Sequence, residues 1–221
     1  MVNLGAVTPD YLSLTRAAYD LVAENYARLL ADELASKPLD RAILNVFADL
    51  VRVADLGKVA DIGCGPGRVS AYLDSHGTDV FGIDLSPNMV AEPRRSYPGL
   101  SFQVGSMTEL DIDDAAVGGL IAWYSIIHTP PENLAEVFSE LARVLAQGAP
   151  ILFAFQVGDE KVHKREAYGC EVSYDVYRLQ PDRVVEMAAK AGIDVDVRLV
   201  RKPMDEAQEL LPQAYLLGHK V

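Results

Sequence analysis

The sequence predicts an α/β fold with a doubly wound, mostly parallel sheet. Short apolar runs of strand length alternate with amphipathic helical segments, an order that is typical of a parallel sheet with helices on both faces. The length of 221 residues is enough for one α/β domain with a complete core and short for two domains. We therefore expect a single domain over residues 1–221.

Two helices are predicted before the first strand. Apolar residues recur at helical spacing over 11–30, after the helix start signal Thr-Pro-Asp at 8–10. A Lys-Pro step at 37–38 interrupts this pattern, and a second amphipathic stretch covers 39–53. We interpret 1–56 as an N-terminal helical segment.

Strands and helices are then predicted to alternate. The predicted strands are 58–62, 79–83, 101–104, 119–123 and 150–156. The predicted helices between them are 67–75, 86–94 and 133–145. Because Pro93 lies inside the second of these helices, we expect it to kink that helix or to end it early.

The order of elements changes after Gly158. Residues 171–178 alternate like a strand, and 181–191 have the pattern of a helix. Residues 193–200 and 213–220 form a last pair of strands. This pair is expected to be antiparallel and to close one edge of the sheet.

Charge, hydropathy and cysteine content exclude several classes of protein. The formal net charge is −12 and the basic residues are scattered, whereas binding to DNA or RNA needs a clustered positive surface. No apolar run resembles a membrane span or the core of a signal peptide, so we expect a soluble cytoplasmic protein. With only Cys64 and Cys170 present, we expect no structural disulfide.

A glycine-rich turn at 61–67, Asp-Ile-Gly-Cys-Gly-Pro-Gly, joins an apolar strand to a helix. Glycines let the backbone approach a ligand closely and expose amides at a helix start. A dinucleotide fingerprint needs Gly-x-Gly-x-x-Gly, and here the third glycine comes one residue early. The Asp61 carboxylate would repel a pyrophosphate, but it suits a ligand with an ammonium and a sulfonium. A purely structural turn is the alternative.

Two further loops follow predicted strands. Asp84 ends the second strand, and its carboxylate can accept two hydrogen bonds from a ribose diol. Its alternative role is to cap the helix that begins near Ser86. After the third strand, Gly105-Ser106-Met107 can pass the edge of an adenine ring, which Met107 can cover.

In this order and spacing, the motifs resemble those of the class I S-adenosylmethionine-dependent methyltransferases, in their small-molecule branch. The family core Asp-x-Gly-x-Gly-x-Gly is matched by 61–67, and Asp-x-Ser-x-x-Met is matched by 84–89. An early Tyr-Asp-x-x-Ala-x-x-Tyr motif is matched by 19–26, and the resemblance covers 19–156. It implies a Rossmann-like sheet of seven strands within 57–221, N-terminal lid helices, and S-adenosylmethionine as cofactor.

The resemblance also implies roles for individual residues. The glycines border the methionine portion of the cofactor, Asp84 binds the ribose, and Leu85 and Met89 line the adenine pocket. Tyr19 or Tyr26 reaches the methionine carboxylate, unless these tyrosines belong to a helix core. The expected cofactor-binding residues are Tyr19, Tyr26, Asp61, Gly63, Cys64, Gly65, Gly67, Asp84, Leu85, Met89, Gly105, Ser106, Met107, Trp123 and Tyr124.

The segment after the fourth strand is expected to face the transferable methyl group. His128 is the candidate general base for a hydroxyl acceptor, and the alternative is a histidine that orients the loop. The sequence Thr-Pro-Pro-Glu at 129–132 lacks the amide or carboxylate and the aromatic residue that amino-group methylation of bases or glutamine requires. No carboxylate follows 119–123 closely, so we expect no metal.

These observations predict methyl transfer to a small-molecule acceptor, with oxygen favoured over nitrogen as the receiving atom. Residues 158–178, which carry several tyrosines and basic residues, are expected to form a wall of the acceptor pocket. Neither a nucleic acid nor a membrane is expected as a partner. The alternatives are a non-catalytic relative that binds the cofactor for assembly or regulation, and an NAD-dependent oxidoreductase.

Overall fold

The computed structural model describes residues 10–204 and 209–221. The strands are β1 (Val59–Ile62), β2 (Val80–Asp84), β3 (Ser101–Val104), β4 (Gly119–Trp123), β5 (Pro150–Gln156), β6 (Lys161–Ala167), β7 (Cys170–Tyr177), β8 (Ile193–Arg201) and β9 (Gln213–Lys220). The α-helices are α1 (Tyr11–Leu29), α2 (Pro38–Ala54), α3 (Arg68–Ser75), α4 (Pro87–Ser96), α5 (Leu134–Val144) and α6 (Pro181–Lys190). Two short 3-10 helices cover Glu33–Ser36 and Ile126–His128.

Seven strands form the main sheet, in the order β3-β2-β1-β4-β5-β9-β8. Strands β1 to β5 are parallel, and β9 is antiparallel to both β5 and β8. The predicted doubly wound sheet and its antiparallel C-terminal pair are therefore confirmed. The strand order reverses between β1 and β4, which opens a crevice at their carboxyl ends.

Helices cover both faces of the sheet. Phe47 of α2 and Leu73 of α3 belong to the core on one face, and Phe138 of α5 and Val184 of α6 belong to the core on the other. Both faces of the central parallel strands β1, β4 and β5 are thus buried, which explains why these strands are nearly continuous apolar runs in the sequence.

The two N-terminal helices have different positions. Asp10 caps α1, because its side chain accepts a hydrogen bond from the Ser13 amide, while Thr8 and Pro9 of the predicted start signal lie outside the described residues. Helix α1 packs against α4 and β7 and lies over the crevice. Helix α2 packs on the sheet itself, so only α1 is placed as a lid.

Helix α4 does not end early at its internal proline. It continues from Pro93 to Ser96, so of the two expected effects of Pro93 the early end is wrong, and the kink stays a prediction. The ring of Pro93 is buried and lies against the backbone of Gly67, where an added Cβ would be 2.7 Å from the Cβ of Pro93. This packing compensates for the single backbone hydrogen bond that a proline removes from a helix.

The sequence did not reveal strand β6. It pairs with β7 in a separate two-stranded antiparallel sheet, and β7 packs against α1. Most β6 side chains are charged and lie at the surface, so the hydrophobic pattern of the sequence carries little strand signal there. The hairpin occupies most of the segment 158–178 that we expected to be a pocket wall.

Two further findings concern membrane-spanning helices and the cysteines. None of the described helices combines the length and the apolar character that a bilayer span requires. Cys64 is buried and Cys170 is partly buried, and both are free thiols.

Candidate functional site

Two adjoining cavities lie in the crevice under α1. The first contains about 900 Å³ of empty space and is lined mainly by the loops after β1, β2, β3 and β4. The second contains about 970 Å³ and reaches the ends of β5 and β7. Both volumes include space that is open to solvent. The two cavities share Tyr19, Tyr26, Arg68 and Tyr124.

The first cavity brings together nearly all the residues that the sequence singled out. Its wall contains Tyr19, Tyr26, Asp61, Gly63, Cys64, Gly65, Asp84, Leu85, Met89, Gly105, Ser106, Met107, Trp123, Tyr124 and His128. Tyr19 and Tyr26 are only partly buried and face both cavities. Their position is therefore in the pocket wall and not in a helix core.

Gly63 and Gly65 form a backbone turn that needs glycine. Their φ angles are +74° and +53°, in the left-handed region that other residues rarely adopt. A Cβ on Gly63 would lie 2.3 Å from the Cβ of Ser125, whereas a Cβ on Gly65 would meet no atom closer than 4.0 Å. Gly63 thus allows close contact with the β4 loop, and Gly65 leaves the cavity open.

Gly67 is the one expected site residue that is absent from the wall of the first cavity. A Cβ there would come within 2.9 Å of Pro93 and Phe102 side-chain atoms. The third glycine therefore permits close packing of α3, α4 and β3, and its expected place beside the methionine portion stays a prediction.

The Asp84 carboxylate ties two loops of the first cavity together. Oδ2 accepts a hydrogen bond from the Gly65 amide at 2.8 Å, and Oδ1 accepts one from the Ser86 amide at 2.9 Å. The cap of α4 is Ser86, whose Oγ accepts from the Met89 amide, so Asp84 is not the helix cap. Burial raises the pKa of Asp84 to about 6, although both amides oppose this shift. Each carboxylate oxygen keeps a second acceptor position.

Asp61 is buried at the floor of the first cavity. Its Oδ2 accepts a hydrogen bond from the Ser70 hydroxyl at 2.6 Å. Among the described residues, nothing donates a hydrogen bond to its buried Oδ1. Burial raises the pKa of Asp61 to about 6. Because buried polar atoms are rarely left unpaired, this oxygen suits a cationic donor on a ligand.

Sequence reasoning did not identify Arg68 as part of the site. It is the first residue of α3, directly after the glycine turn, and it lines both cavities. Its Nε donates to Glu33 Oε2 at 2.9 Å, and its guanidinium lies 5.9 Å from the ring centroid of Tyr26. Its position next to the motif was the available signal.

Ser125 is a second residue that was not identified. Its Oγ donates to the Ile62 carbonyl at 2.7 Å and holds the loop after β4 against the end of β1. The preceding residue, Tyr124, has φ +55°, a conformation that is strained in residues other than glycine and that clusters at functional sites.

His128 lines the first cavity beside Tyr19, which lines both cavities. A hydrogen bond of 2.9 Å joins its Nε2 to the Tyr19 hydroxyl. Its buried Nδ1 has no hydrogen-bond partner among the described residues. Burial lowers the pKa of His128 to about 4, against a smaller raising effect from the Asp175 backbone. The imidazole is therefore neutral at physiological pH.

One group of possible metal ligands occurs in the described part of the chain. Asp194, Asp196 and His219 offer ligand atoms within 4.8 Å of one another. They lie on β8 and β9. His219 pairs with Pro150 at the start of β5, whereas the cavities lie at the carboxyl ends of the parallel strands. This group is therefore at the opposite end of the strands from the cavities. The expectation that the site needs no metal stays a prediction.

Comparisons with known proteins agree with this geometry. Residues 59–148 match a family model described as "Methyltransferase domain". The chain is 29% identical over 136 residues to a demethylmenaquinone methyltransferase of Beutenbergia cavernae, covering 62% of this chain and 55% of that protein. It is 31% identical over 134 residues to a trans-aconitate 2-methyltransferase of Methylobacterium nodulans, covering 60% and 45%. The matches thus span about half the length of these relatives.

A solved structure extends the similarity to almost the whole chain. It is magnesium protoporphyrin IX methyltransferase from Synechocystis PCC 6803 with bound SAM, with a TM-score of 0.72 and 18% sequence identity. The superposition covers 97% of this chain and 99% of that one. At this identity the likeness establishes the fold.

Proposed function

Since residues 59–148 of this chain form a methyltransferase domain of the class I, S-adenosylmethionine-dependent family, we propose that the protein methylates a small-molecule acceptor. We further propose that oxygen is favoured over nitrogen as the receiving atom. The observation that carries the proposal is Asp61 Oδ1 in the wall of the first cavity, which receives no hydrogen bond from any of the described residues.

The residues of the first cavity fit S-adenosylmethionine. Asp61 Oδ1 would accept a hydrogen bond from the ammonium group of the methionine portion. The free acceptor positions of Asp84 would take the ribose hydroxyls, and Leu85 and Met107 would contact the adenine. When bound, the cofactor supplies a methyl carbon made electrophilic by a positive sulfur.

The same residues disfavour NAD. Two buried carboxylates, Asp61 and Asp84, line the first cavity, and a pyrophosphate would have to lie close to both. Like charges at short range in a buried site repel strongly. This electrostatic argument separates the proposal from an oxidoreductase on the same type of sheet.

The second cavity is where we place the acceptor. It joins the first at Tyr19 and Tyr124, so an acceptor there would face the end of the cofactor that carries the methyl group. In the proposed reaction, an acceptor oxygen forms a bond to the methyl carbon, the carbon–sulfur bond breaks, and its electron pair stays on sulfur. The hydroxyl proton moves to Nε2 of His128, where the Tyr19 hydroxyl has to yield its place or relay the proton.

The lowered pKa limits what His128 contributes. A base with a pKa of about 4 is weaker than the optimum for proton transfer near neutral pH. Alignment of the nucleophile with the methyl carbon and sulfur therefore supplies much of the acceleration. Helix α1 as lid and the β6–β7 hairpin as wall would provide this alignment within a single domain of residues 1–221.

The names of the relatives do not point to one acceptor. They refer to demethylmenaquinone, trans-aconitate and magnesium protoporphyrin IX, which differ in size and chemistry. The acceptor of this chain has to be inferred from its own cavity.

Calorimetry tests the cofactor assignment. We expect the purified protein to bind S-adenosylmethionine and S-adenosylhomocysteine and not NAD, and we expect Asp61→Asn to weaken binding. Binding of NAD with no response to S-adenosylhomocysteine would contradict the proposal. Transfer of a labelled methyl group to a deproteinised small-molecule extract separates an enzyme from a non-catalytic cofactor-binding relative, which would bind and not transfer.

A further inference from the structure

We propose that the acceptor carries a single carboxylate group, that Arg178 binds this group in the second cavity, and that Gln156 accepts a hydrogen bond from a donor next to it. The inference rests on the proposed function and deepens it, because it names the chemical class of the acceptor and the residues that select it.

The fold brings the two residues together from different elements. Gln156 is the last residue of β5, and Arg178 directly follows β7. The Leu179 amide donates to the Gln156 carbonyl at 3.1 Å, which fixes the two backbones side by side. Both side chains line the second cavity.

Both residues have unpaired polar atoms that are buried. Among the residues described, Nε of Arg178 and Oε1 of Gln156 have no hydrogen-bond partner. Burial lowers the pKa of Arg178, while the Glu160 charge opposes this effect. In the described part of the chain Glu160 makes no ion pair with Arg178, and its Oε2 accepts a hydrogen bond from the Asp159 amide at 3.1 Å. Arg178 is partly buried as a residue, but its Nε is buried completely. A buried donor without a partner is costly, and an anion would satisfy it.

The other charges of the second cavity already have partners. Lys37 pairs with Glu33 at 2.8 Å and with Glu209 at 3.1 Å, and Arg68 pairs with Glu33. Glu209 pairs in addition with Arg201. Among the described residues that line this cavity, the two carboxylates are thus paired with cations, and Arg178 is a positive charge without an ion pair. A monoanion would supply the missing negative charge.

The geometry of the groups favours a carboxylate in particular. The planar guanidinium presents two parallel N–H donors that match the two oxygens of a carboxylate. Oε1 of Gln156 is an acceptor and would take a donor next to that carboxylate, such as a hydroxyl group. Tyr124, Ile127 and Leu211 provide aromatic and apolar wall for the organic part of the acid.

The test compares acids with their neutral amides on the protein saturated with S-adenosylhomocysteine. Salicylate and phenylacetate are titrated beside salicylamide and phenylacetamide, with calorimetry as the readout. We expect the acids to bind more tightly than the amides. Arg178→Gln should weaken binding of the acids by about tenfold or more, and Arg178→Lys, which keeps the charge and loses the fork, should give an intermediate loss.

Matched controls keep the interpretation specific. Arg198→Gln removes one exposed positive charge that pairs with Asp182 on the surface, and it should leave acid binding unchanged. Affinity for S-adenosylhomocysteine and the melting temperature should stay the same in Arg178→Gln, which shows that the variant is folded. Equal binding of acids and amides, no binding of any acid, or full acid affinity in Arg178→Gln would overturn the inference. Failure of the wild-type protein to bind S-adenosylhomocysteine would instead contradict the proposed function.

Discussion

The two cavities of this protein are built in different ways. The first is formed mainly by short loops that follow β1, β2, β3 and β4, and backbone amides of these loops hold the Asp84 carboxylate. The second takes its polar side chains from many separate parts of the chain, among them α1, positions 33 and 37, the first residue of α3, the end of β5, the residue after β7, and positions 209 and 213. One cavity therefore depends on local sequence, and the other depends on tertiary packing. Substitutions in the second wall can change the acceptor while the cofactor geometry is preserved.

Gly63→Ala should have the largest effect among the substitutions that test whether the two cavities are independent. The left-handed φ of +74° and the 2.3 Å approach to Ser125 should together lower the free energy of unfolding by about 2–6 kcal/mol. Affinity for S-adenosylhomocysteine should fall with it. Chemical denaturation and calorimetry measure the two effects.

Gly148→Ala is the matched control for this substitution. Gly148 has φ +78°, and its Cβ would meet no atom within 4 Å. Only backbone strain of about 1–2 kcal/mol is expected there, with no effect on cofactor affinity. If both variants lose the same stability and Gly63→Ala still binds the cofactor normally, the close approach to Ser125 is unimportant.

The second largest effect is expected on turnover, from substitution of His128 beside Tyr19. If His128 accepts the proton, His128→Asn should reduce turnover roughly 10²–10⁴-fold while affinity for S-adenosylhomocysteine hardly changes. Because burial holds the pKa of His128 at about 4, its loss of activity by protonation should occur near that pH. The wild-type rate should then show no acid limb from His128 between pH 6 and 9.

The exposed His76 supplies the control, since it lies at the end of α3 and His76→Asn should leave turnover intact. Steady-state rates with the true acceptor decide the matter. Should His128→Asn keep the wild-type rate and pH profile, the histidine orients the loop and alignment alone accounts for catalysis.

Asp84→Ala should have an intermediate effect that is confined to the first cavity. We expect cofactor binding to weaken by about 1–3 kcal/mol, because hydrogen-bonding groups are left unpaired. The bonds to the amides of Gly65 and Ser86 are lost as well, so part of the loss reflects a less ordered turn. Calorimetry with S-adenosylhomocysteine measures it, and binding of salicylate should survive at saturating cofactor.

Asp79→Ala serves as a comparison, because Asp79 directly precedes β2 and its side chain is 68% exposed. This variant should bind the cofactor like the wild type. Unchanged affinity in a folded Asp84→Ala would exclude the ribose-binding role.

The smallest expected effect is a pH dependence of cofactor affinity that is due to Asp61. Burial raises the pKa of Asp61 to about 6, so the carboxyl is mostly protonated at pH 5 and mostly ionised at pH 7. The ammonium group of S-adenosylhomocysteine favours the ionised form. Affinity should therefore rise about tenfold from pH 5 to pH 7, with release of protons on binding.

Without ligand, the raised pKa of Asp61 makes the free energy of unfolding fall as pH rises, whereas affinity for the ligand increases over the same range. A carboxyl whose pKa is raised by folding binds more protons in the folded state, so its contribution to the free energy of unfolding falls as pH rises through that range. Calorimetry at pH 5, 6 and 7 measures the effect on affinity. Asp61→Asn should reduce the rise and leave only the part that is due to Asp84, whose pKa is also about 6. A rise of equal size in that variant would assign the titration to a group other than Asp61.

The difference between the cavities also explains what could be predicted from sequence. Strands β3, β4, β5 and β9 begin and end where the sequence pattern places them. For β4, β5 and β9 the signal is strong because buried strands require continuous apolar runs. Except for Gly67, the predicted site residues all lie in the wall of the first cavity, since they belong to contiguous motifs, whereas Arg68 and Ser125 of the same wall were not identified. The packing of Gly67 against Pro93 and Phe102 depends on three elements and leaves no local signal.

The second cavity was much harder to predict. Arg178 and Gln156 are 22 positions apart in the sequence, and neither belongs to a motif. They lie side by side because the Leu179 amide donates a hydrogen bond to the Gln156 carbonyl, and no sequence periodicity predicts this contact. Charged side chains on β6 likewise concealed a strand that is held mainly by backbone pairing.

The place of β9 in the sheet has a consequence for folding. β9 lies inside the sheet, between β5 and β8, although it is the last strand along the chain. Until residues 213–220 have been synthesised, β5 has an unpaired edge and β8 has no partner in the main sheet, and open edges of this kind promote aggregation. Insertion of β9 also brings Tyr215 to α2, where its hydroxyl donates to Asp40 at 2.7 Å. Closure of the sheet is therefore a late and long-range step, and substitutions at Tyr215 or Asp40 should slow refolding more than equally destabilising substitutions in α5.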